Sequence, residues 1–306
     1  MDMKKTIVGI GACVMDTLYR VPKYPTEDTK CRATESKTAG GGPCATGLVA
    51  VRKLGADAAY IGNLSSDAGG RFLYSDFKKY GVDVSNVTVL DGYRSFTSVL
   101  CLSEGAKSHT CIFDKGDLPA LALNEAQKDA IKGAALLLVD GNELDAAVDA
   151  AKLARAYGVP VLYDCGGLYP NVERLLEYTD IMIPSEEFAM GHTGKASAAD
   201  AAVALYEMYH PEVVIVTQGK CGGTYYDGET LTKYPAYPAE VVDSNGAGDV
   251  FHGAYAYAVT KGISYLSACH FASATSAIKC MGFGARESVP NAEAVITYLK
   301  ENGYEL

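Results

Sequence analysis

The chain has 306 residues, of which 48% are hydrophobic and 21% charged, and its formal net charge is −10. This acidic balance, without a Lys/Arg cluster, argues against nucleic acid or an anionic membrane as a partner. No segment approaches the roughly 18 consecutive apolar residues of a membrane-spanning helix. The nine cysteines contain no CxxC pair, a pattern typical of reduced thiols rather than of disulfides or a zinc site, so we expect a cytoplasmic protein.

Six short apolar segments predict buried strands. They are rich in Val, Ile and Leu without polar alternation, which is typical of a parallel sheet covered on both faces. In chain order, the segments cover residues 6–11, 58–62, 134–140, 159–164, 180–184 and 212–217.

Helical patterns alternate with these strands, and glycine marks several helix ends. Pro43 suits a first helical position, whereas Gly55, Gly81 and Gly158 suit the residue just past a helix end. The predicted helices cover residues 43–54, 68–80, 143–157, 196–209, 265–281 and 291–302. This alternation predicts a three-layer α/β fold with a mainly parallel central sheet.

Two segments interrupt the alternation, and we predict that they form a small β-sheet lid. Residues 17–38 are polar and lack helical spacing, and residues 94–115 have β-branched residues at period two around a turn. Ligands of open α/β sheets bind at the carboxyl ends of the strands, which such a lid would cover. The alternative is a pair of surface hairpins. We expect residues 1–306 to form a single domain that includes the lid.

A glycine-rich turn at residues 246–248 leads into an apolar helix that is predicted to end at Gly262. Small residues let the backbone approach a ligand, and the N–H groups of a helix start attract anions. Asp249 lies at this edge, where we expect the N–H donors and the helix dipole to keep its carboxylate ionised. An anion cradle beside a general base is what phosphoryl transfer to an alcohol requires. The alternative is an ordinary capped helix start.

A second glycine-rich segment, GGGPCATG at residues 40–47, also leads into a helix. Its bare backbone would allow a polyol to lie against the chain, although the same pattern marks a tight strand-to-helix turn. Asp16 follows the first predicted strand, where its carboxylate would accept hydrogen bonds from two sugar hydroxyls. The alternative for Asp16 is a helix or turn cap.

Together these segments resemble the ribokinase, or pfkB-type, carbohydrate kinase family almost from end to end. DSNGAGD at 243–249 is similar to the C-terminal signature of that family, and GGGPCATG with KLG at 53–55 is similar to its N-terminal signature. Other matching segments are IGNLSSDAGGRF at 61–72, YGVDV at 80–84, VTQGKCG at 216–222 and GARESVP at 284–290. The resemblance implies a ribokinase-like fold and ATP-dependent phosphorylation of a sugar.

The resemblance also implies roles for individual residues. Asp249 would be the base that takes the proton of the sugar hydroxyl, and the anion hole would consist of Gly246, Ala247, Gly248 and the Asp249 N–H. The implied sugar-binding residues are Asp16, Gly41, Gly42 and Thr46, the last of which stands where the family usually has asparagine. The implied nucleotide-binding residues are Ser185, Thr217, Gly219 and Gly222, with the helix at 265–281 beside the adenine.

Two cations follow from the same resemblance. The Asn-x-x-Glu segment that organises Mg²⁺ corresponds to SEEF at 185–188, in which both ends are changed. Glu186 and Glu187 are therefore the candidates for holding Mg²⁺ through water, and the alternative is a pair of solvated charges that open a helix. A monovalent cation, K⁺, would be bound by backbone carbonyls near Asp243, Asn245 and Gly284, together with Ser288.

The motifs are most similar to the branch that contains sulfofructose kinase and ketohexokinase, which favours a fructose-like ketose phosphorylated on a primary hydroxyl. The segment 140–142 contains no arginine for a sulfonate, so an unsulfonated sugar fits at least as well. The alternatives are a nucleoside kinase of the same fold and a non-catalytic sugar- or nucleotide-binding regulator. Exposed lid edges would favour a homodimer formed through the lid.

Overall fold

A computed structural model describes residues 6–106 and 108–306. Residues 1–5 of the predicted domain and Lys107 of the predicted lid lie outside this part. The described strands are β1 (Thr6–Ile10), β2 (Val14–Val21), β3 (Glu35–Gly41), β4 (Asp57–Ser65), β5 (Val87–Leu90), β6 (Thr97–Ser103), β7 (Ser108–Asp114), β8 (Leu136–Val139), β9 (Val161–Cys165), β10 (Ile181–Pro184), β11 (Val213–Thr217), β12 (Gly223–Tyr226) and β13 (Leu231–Tyr234). The described α-helices are α1 (Pro43–Leu54), α2 (Ala68–Tyr80), α3 (Glu125–Lys132), α4 (Leu144–Ala156), α5 (Glu173–Leu176), α6 (Glu186–Thr193), α7 (Ala198–Tyr209), α8 (Ala247–Thr260), α9 (Tyr265–Cys280) and α10 (Ala292–Glu301).

The central sheet has nine strands in the order β13-β12-β11-β10-β9-β8-β1-β4-β5. The seven strands from β11 to β5 pair in parallel, whereas β12 and β13 are antiparallel additions. Every residue of β8, β9 and β10 is buried, because helices cover both faces of a parallel sheet. The chain order reverses between β1 and β8, so a crevice is expected outside their carboxyl ends.

The helices lie on both faces of the sheet, which confirms the three-layer architecture. One buried cluster joins the sheet to α1, α2, α8, α9 and α10, and a second joins the opposite face to α3 through α7. The bounds of α1 and α2 agree with the prediction, because Pro43 starts the first helix and left-handed Gly55 and Gly81 end the two helices. Within the described part of the chain, no helix is long and apolar enough to cross a bilayer.

Several elements have weak sequence signals and were not predicted. Strands β5, β12 and β13 have only four residues each, and α3 is largely polar. The edge strands β5 and β13 need no continuous apolar run, because only part of their surface is buried. Strand β12 is mostly buried but too short for a distinct apolar run.

A separate four-stranded sheet, in the order β3-β2-β6-β7, forms the lid sheet. Its central strands β2 and β6 are parallel, and β3 and β7 add to them in antiparallel register. The lid sheet differs from the prediction in extent. Strand β2 starts at Val14, and residues 22–34 form no strand, because this segment contains Pro22 and Pro25 and lacks alternating apolar residues.

Helices α1 and α8 cross at two glycines, and this crossing positions the site. A Cβ atom on Gly253 would lie 2.2 Å from the carbonyl oxygen of Gly47, so the two backbones touch where neither residue has a side chain. The crossing lies near both helix starts and thereby brings the two glycine-rich segments of the sequence to one end of the sheet.

Candidate active site

The start of α8 has the backbone geometry of an anion site. Gly246, just before the helix, has φ 71°, and a Cβ there would lie 2.6 Å from the Cβ of Ala285. The Ala247 N–H already donates to the Ser244 carbonyl over 3.2 Å. The N–H groups of Gly248 and Asp249 are therefore the helix-start donors best placed for an anion, because first-turn N–H groups have no acceptor within their own helix.

Asp249 has an unusual charge environment. Burial, together with the negative charge of Asp164, raises the pKa of the Asp249 carboxyl to about 7, while the nearby His252 opposes the shift. The expectation that the helix start would keep this carboxylate at the low pKa of an ordinary aspartate is therefore wrong, because burial and the charge of Asp164 disfavour the ionised form. A carboxylate with a pKa near 7 suits a general base at neutral pH.

Two groups set this environment, Asp164 and His252. The sequence placed His252 one helical turn beyond Asp249, with packing or capping as its favoured role, but gave Asp164 no role. Asp164 lies in β9, and its Oδ2 is 3.2 Å from Nδ1 of His252. His252 also contacts the carbonyl oxygens of Gly248 and Ile183 at 2.7 and 3.0 Å. The signal in the sequence was that Asp164 and His252 are polar residues within otherwise apolar segments.

A cavity of about 420 Å³ opens beside the α8 start and brings together most of the expected nucleotide residues. Its walls include Thr217, Gly219, Gly222, Ala247 and Gly248. Helix α9 forms another wall through Ser273, Ser276, Ala277 and Cys280, as expected for the helix at 265–281. The aromatic residues Tyr234, Tyr237 and Phe251 also line the cavity and were not singled out from the sequence. The mainly apolar walls with few polar groups suit a nucleobase.

Ser185 has a different position from the one expected. Its side-chain oxygen caps α6 by accepting the Phe188 N–H at 3.1 Å, and it does not line the cavity. It bridges to Thr217 through the backbone, so it supports the nucleotide site from outside.

Glu186 is hydrogen-bonded to the segment that forms one wall of the cavity. Its carboxylate accepts a 2.7 Å hydrogen bond from the side chain of Gln218, the residue after Thr217. Glu186 and Glu187 are both exposed on the first turn of α6. Within residues 6–106 and 108–306, no group of three or more His, Cys, Asp and Glu side chains forms a metal cluster. Mg²⁺ commonly needs only one or two protein carboxylates when phosphates supply other ligands, so Glu186 fits the expected role.

Asp16 and Gly41 lie together on the lid side of the crevice. Asp16 belongs to β2 and is buried, and its Oδ1 accepts a 2.6 Å hydrogen bond from Ser98 in β6. A Cβ on Gly41 would lie only 1.9 Å from Asp16 Oδ2, so this carboxylate occupies the space that the glycine leaves open. Gly42 follows with φ 92° and leads directly into α1.

The side chain of Thr46 is not accessible to a sugar. It is fully buried, and its hydroxyl accepts a hydrogen bond from Arg286 Nε at 3.3 Å. Arg286 also donates to Asp76 at 2.5 Å and to the Gly41 carbonyl at 2.7 Å. The expected contact between Thr46 and the sugar is therefore wrong, because the buried guanidinium uses this side chain to hold the glycine-rich segment.

Asp140 is a second buried carboxylate that the sequence did not identify as important. It follows β8, and its carboxylate accepts hydrogen bonds from the backbone N–H groups of Ala12, Cys44 and Asn142 at 2.8, 3.0 and 2.9 Å. These bonds tie β8, the end of β1 and the start of α1 together at the point where the strand order reverses. Burial raises the pKa of Asp140, and the three N–H donors oppose that change.

The residues expected around K⁺ are already linked to protein groups. The Asp243 carboxylate accepts the N–H groups of Asn245 and Gly284, both at 2.9 Å. The ammonium of Lys279 donates to the carbonyl oxygen of Asp243 at 2.8 Å and also to that of Asn245. Ser288 lies near Gly282, where a Cβ would be 2.3 Å from its hydroxyl. These two carbonyls do not fit K⁺, because a protein cation occupies them.

Comparisons with known proteins agree with this geometry. A family model described as pfkB family carbohydrate kinase matches residues 4–292. The ribokinase of Bacillus subtilis is 27% identical over 294 residues, covering 95% of this chain and 98% of that protein. The ketohexokinase of Mus musculus is 26% identical over 288 residues, covering 90% of this chain and 96% of that protein. The structure of Arabidopsis thaliana ribokinase complexed with ribose and ATP has a TM-score of 0.85 and 25% identity, covering 97% of this chain and 99% of that one.

Proposed function

The chain belongs to the pfkB family of carbohydrate kinases, and from this premise we propose that it phosphorylates a sugar hydroxyl with ATP, using Asp249 as the general base. The observation that carries the proposal is Asp249 itself. Its carboxyl has a pKa of about 7 and stands at the start of α8, one residue after Gly248 in the wall of the nucleotide-sized cavity. A base and a phosphate-binding helix start are thus adjacent.

In this proposal the protein contributes positioning and charge stabilisation. ATP enters the cavity between α9 and β13, with its phosphates toward the N–H groups of Gly248 and Asp249. Asp16 accepts hydrogen bonds from the sugar, and the Asp249 carboxylate takes the proton of the hydroxyl that attacks the γ-phosphoryl group. The loose transition state of phosphoryl transfer needs little covalent help, so these contacts supply most of the catalysis.

Mg²⁺, when bound with ATP, neutralises phosphate charge during transfer. We propose that Glu186 holds it through water and that Gln218 keeps this carboxylate oriented. The hydrogen bond between these two side chains supports the assignment.

We propose a fructose-like ketose as the preferred sugar, which deepens the kinase assignment. The sequence motifs and the similarity to mouse ketohexokinase support this choice. The similarity to ribokinase of Bacillus subtilis makes a pentose the main competitor.

We also propose a homodimer formed through the lid sheet. Strand β7 is an edge strand whose seven residues are all exposed, including Ile112 and Phe113 at 65% and 60%. Exposed edge strands with apolar side chains are common pairing surfaces.

The deciding experiment measures ADP release from ATP and Mg²⁺ with a panel of ketoses, aldoses, sugar phosphates, sulfosugars and nucleosides. We expect the highest kcat/KM with a fructose-like ketose and a product phosphorylated on a primary hydroxyl, identified by phosphorus NMR. Turnover confined to nucleosides would replace the sugar assignment. Binding of sugar and ATP by calorimetry without turnover of any panel member would indicate a regulator instead.

A further inference from the structure

Lys279 is a fully buried lysine near the end of α9. Its ammonium donates to the carbonyl oxygens of Asp243 and Asn245. Both carbonyls belong to the turn that immediately precedes Gly246 and the α8 start. A buried ammonium is costly unless it is paired and hydrogen-bonded, so this arrangement requires a structural explanation.

The turn supplies both the charge and the acceptors that such an ammonium needs. The Asp243 side chain is itself buried and is held by the N–H groups of Asn245 and Gly284. Burial lowers the pKa of Lys279, and the negative charge of Asp243 opposes this shift. The ammonium is therefore hydrogen-bonded to two carbonyl oxygens, and the charge of the Asp243 carboxylate favours its protonated form.

Helix α9 also holds the same segment at three further points. The N–H groups of Val242 and Asp243 donate to the carbonyl of Cys280 at 2.9 and 3.1 Å. The Ser276 hydroxyl donates to the Ala247 carbonyl at 2.9 Å. Residues 242–247 are thus attached to α9 on both sides of the contact with Lys279.

We propose that the Lys279 ammonium serves as a built-in monovalent cation that orders residues 243–248, so that phosphoryl transfer by this chain does not depend on K⁺. The proposal rests on the proposed function, because these residues matter to turnover only if they bind the transferring phosphate. An ammonium carries the same charge as K⁺ and binds carbonyl oxygens in the same way. Its tether to α9 means that no ion has to be captured from solution.

The first test compares wild-type protein in potassium chloride and in choline chloride at equal ionic strength. We expect the same kcat and the same thermal midpoint in both salts. Activation of kcat by K⁺ of about tenfold or more, a clear part of the roughly 10² to 10³ that an anion-stabilising contact contributes, would overturn the proposal.

The second test removes the ammonium and offers a replacement. We expect Lys279→Ala to lose about 10² in kcat in choline chloride, with a smaller change in the KM for ATP, because the turn loses its order. Added K⁺ or methylammonium is expected to enter the vacated space and to raise the kcat of this variant by about tenfold. Lys279→Met fills the space with an apolar chain and is expected to show no rescue.

Lys53→Ala is the matched control. Lys53 also donates to two backbone carbonyls, those of Arg286 and Glu287, but not to the turn before α8. We expect it to keep wild-type kcat in both salts. Full activity of Lys279→Ala in choline chloride, or equal cation response in both alanine variants, would contradict the proposal.

A readout without turnover separates this proposal from the kinase assignment. If wild-type protein phosphorylates no sugar, the assigned function fails, yet K⁺ should still raise the thermal midpoint of Lys279→Ala above its value in choline chloride. A folded Lys279→Ala protein whose midpoint is the same in both salts would refute the role of Lys279. If that variant does not fold, the wild-type salt comparison decides.

Discussion

Nδ1 of His252 lies 3.2 Å from the carboxylate of Asp164. His252 is in α8, three residues after Asp249. The two residues have opposite effects on the Asp249 carboxyl, because Asp164 raises its pKa and His252 lowers it. The imidazole also contacts backbone carbonyls of Gly248 and Ile183, so it joins the first turn of α8 to β10. Acidity and position of the proposed base are therefore set by the same contacts.

The pH dependence of kcat should report this carboxyl. Because its pKa is raised to about 7, the base is protonated at lower pH, and kcat should fall by about tenfold per pH unit on the acidic side. Asp164→Asn removes a like charge while keeping an acceptor for His252, so the acidic limb should move to lower pH. Rate profiles of both proteins over roughly pH 5 to 9 provide the test. An unchanged limb in the variant would show that another group titrates.

Asp249→Asn should lower kcat by about 10² to 10⁴, the usual contribution of a positioned general base. The fold and ATP binding should persist, because the amide has nearly the same shape. Circular dichroism, ATP calorimetry and ADP release measure the three quantities. Asp200→Asn is the matched control, since Asp200 occupies the same third helical position in α7 but is exposed. Comparable kcat values for the two variants would contradict the assignment of Asp249.

Gly248→Ala and Gly246→Ala should have different effects: the first should impair ATP binding or turnover, and the second should lower stability. A Cβ on Gly248 meets no protein atom within 4 Å, so this variant should fold normally, whereas its methyl group would enter the cavity and weaken ATP binding or turnover. Gly246 has positive φ and would contact Ala285, so its replacement should lower stability by roughly 1–3 kcal/mol. Urea unfolding and ATP kinetics of both variants distinguish these outcomes. Wild-type KM and kcat for Gly248→Ala would place the phosphates elsewhere.

The buried pair Arg286 and Asp76 should be essential to stability. Arg286→Met leaves the Asp76 carboxylate without its buried partner, and we expect a loss of about 3–5 kcal/mol in the free energy of unfolding. The double variant with Asp76→Leu should recover part of this loss, since no unpaired charge remains. Arg174→Met, which breaks an exposed pair with Asp145, should change stability little. A double variant less stable than Arg286→Met would argue against the charge explanation.

Ile112→Lys should dissociate a dimer that forms through β7. A lysine on an edge strand opposes pairing with a second chain. Sedimentation at micromolar concentration should give a dimeric mass for the wild type and a monomeric mass for the variant. Met208→Lys changes an exposed apolar residue of α7, outside the lid, and should leave the dimer intact. A monomeric wild type would remove the proposal.

The sequence was most informative where structure depends on neighbours along the chain. Pro43, Gly55 and Gly81 define helix ends through local backbone preferences, so the bounds of α1 and α2 agreed with the structure. Continuous apolar runs similarly indicated six of the seven strands of the parallel sheet, because burial on both faces leaves no polar alternation. The glycine-rich segment before Asp249 indicated a helix start for an anion.

Only the tertiary structure decided how these pieces act on one another. The pKa of Asp249 depends on Asp164 in another strand, and the burial of Thr46 depends on Arg286 from the far end of the chain. Two of the carbonyls expected to bind K⁺ accept hydrogen bonds from the ammonium of Lys279, a residue of α9. Helix and turn preferences arise within a few residues, whereas desolvation and charge pairing depend on which distant groups the fold brings within a few ångströms.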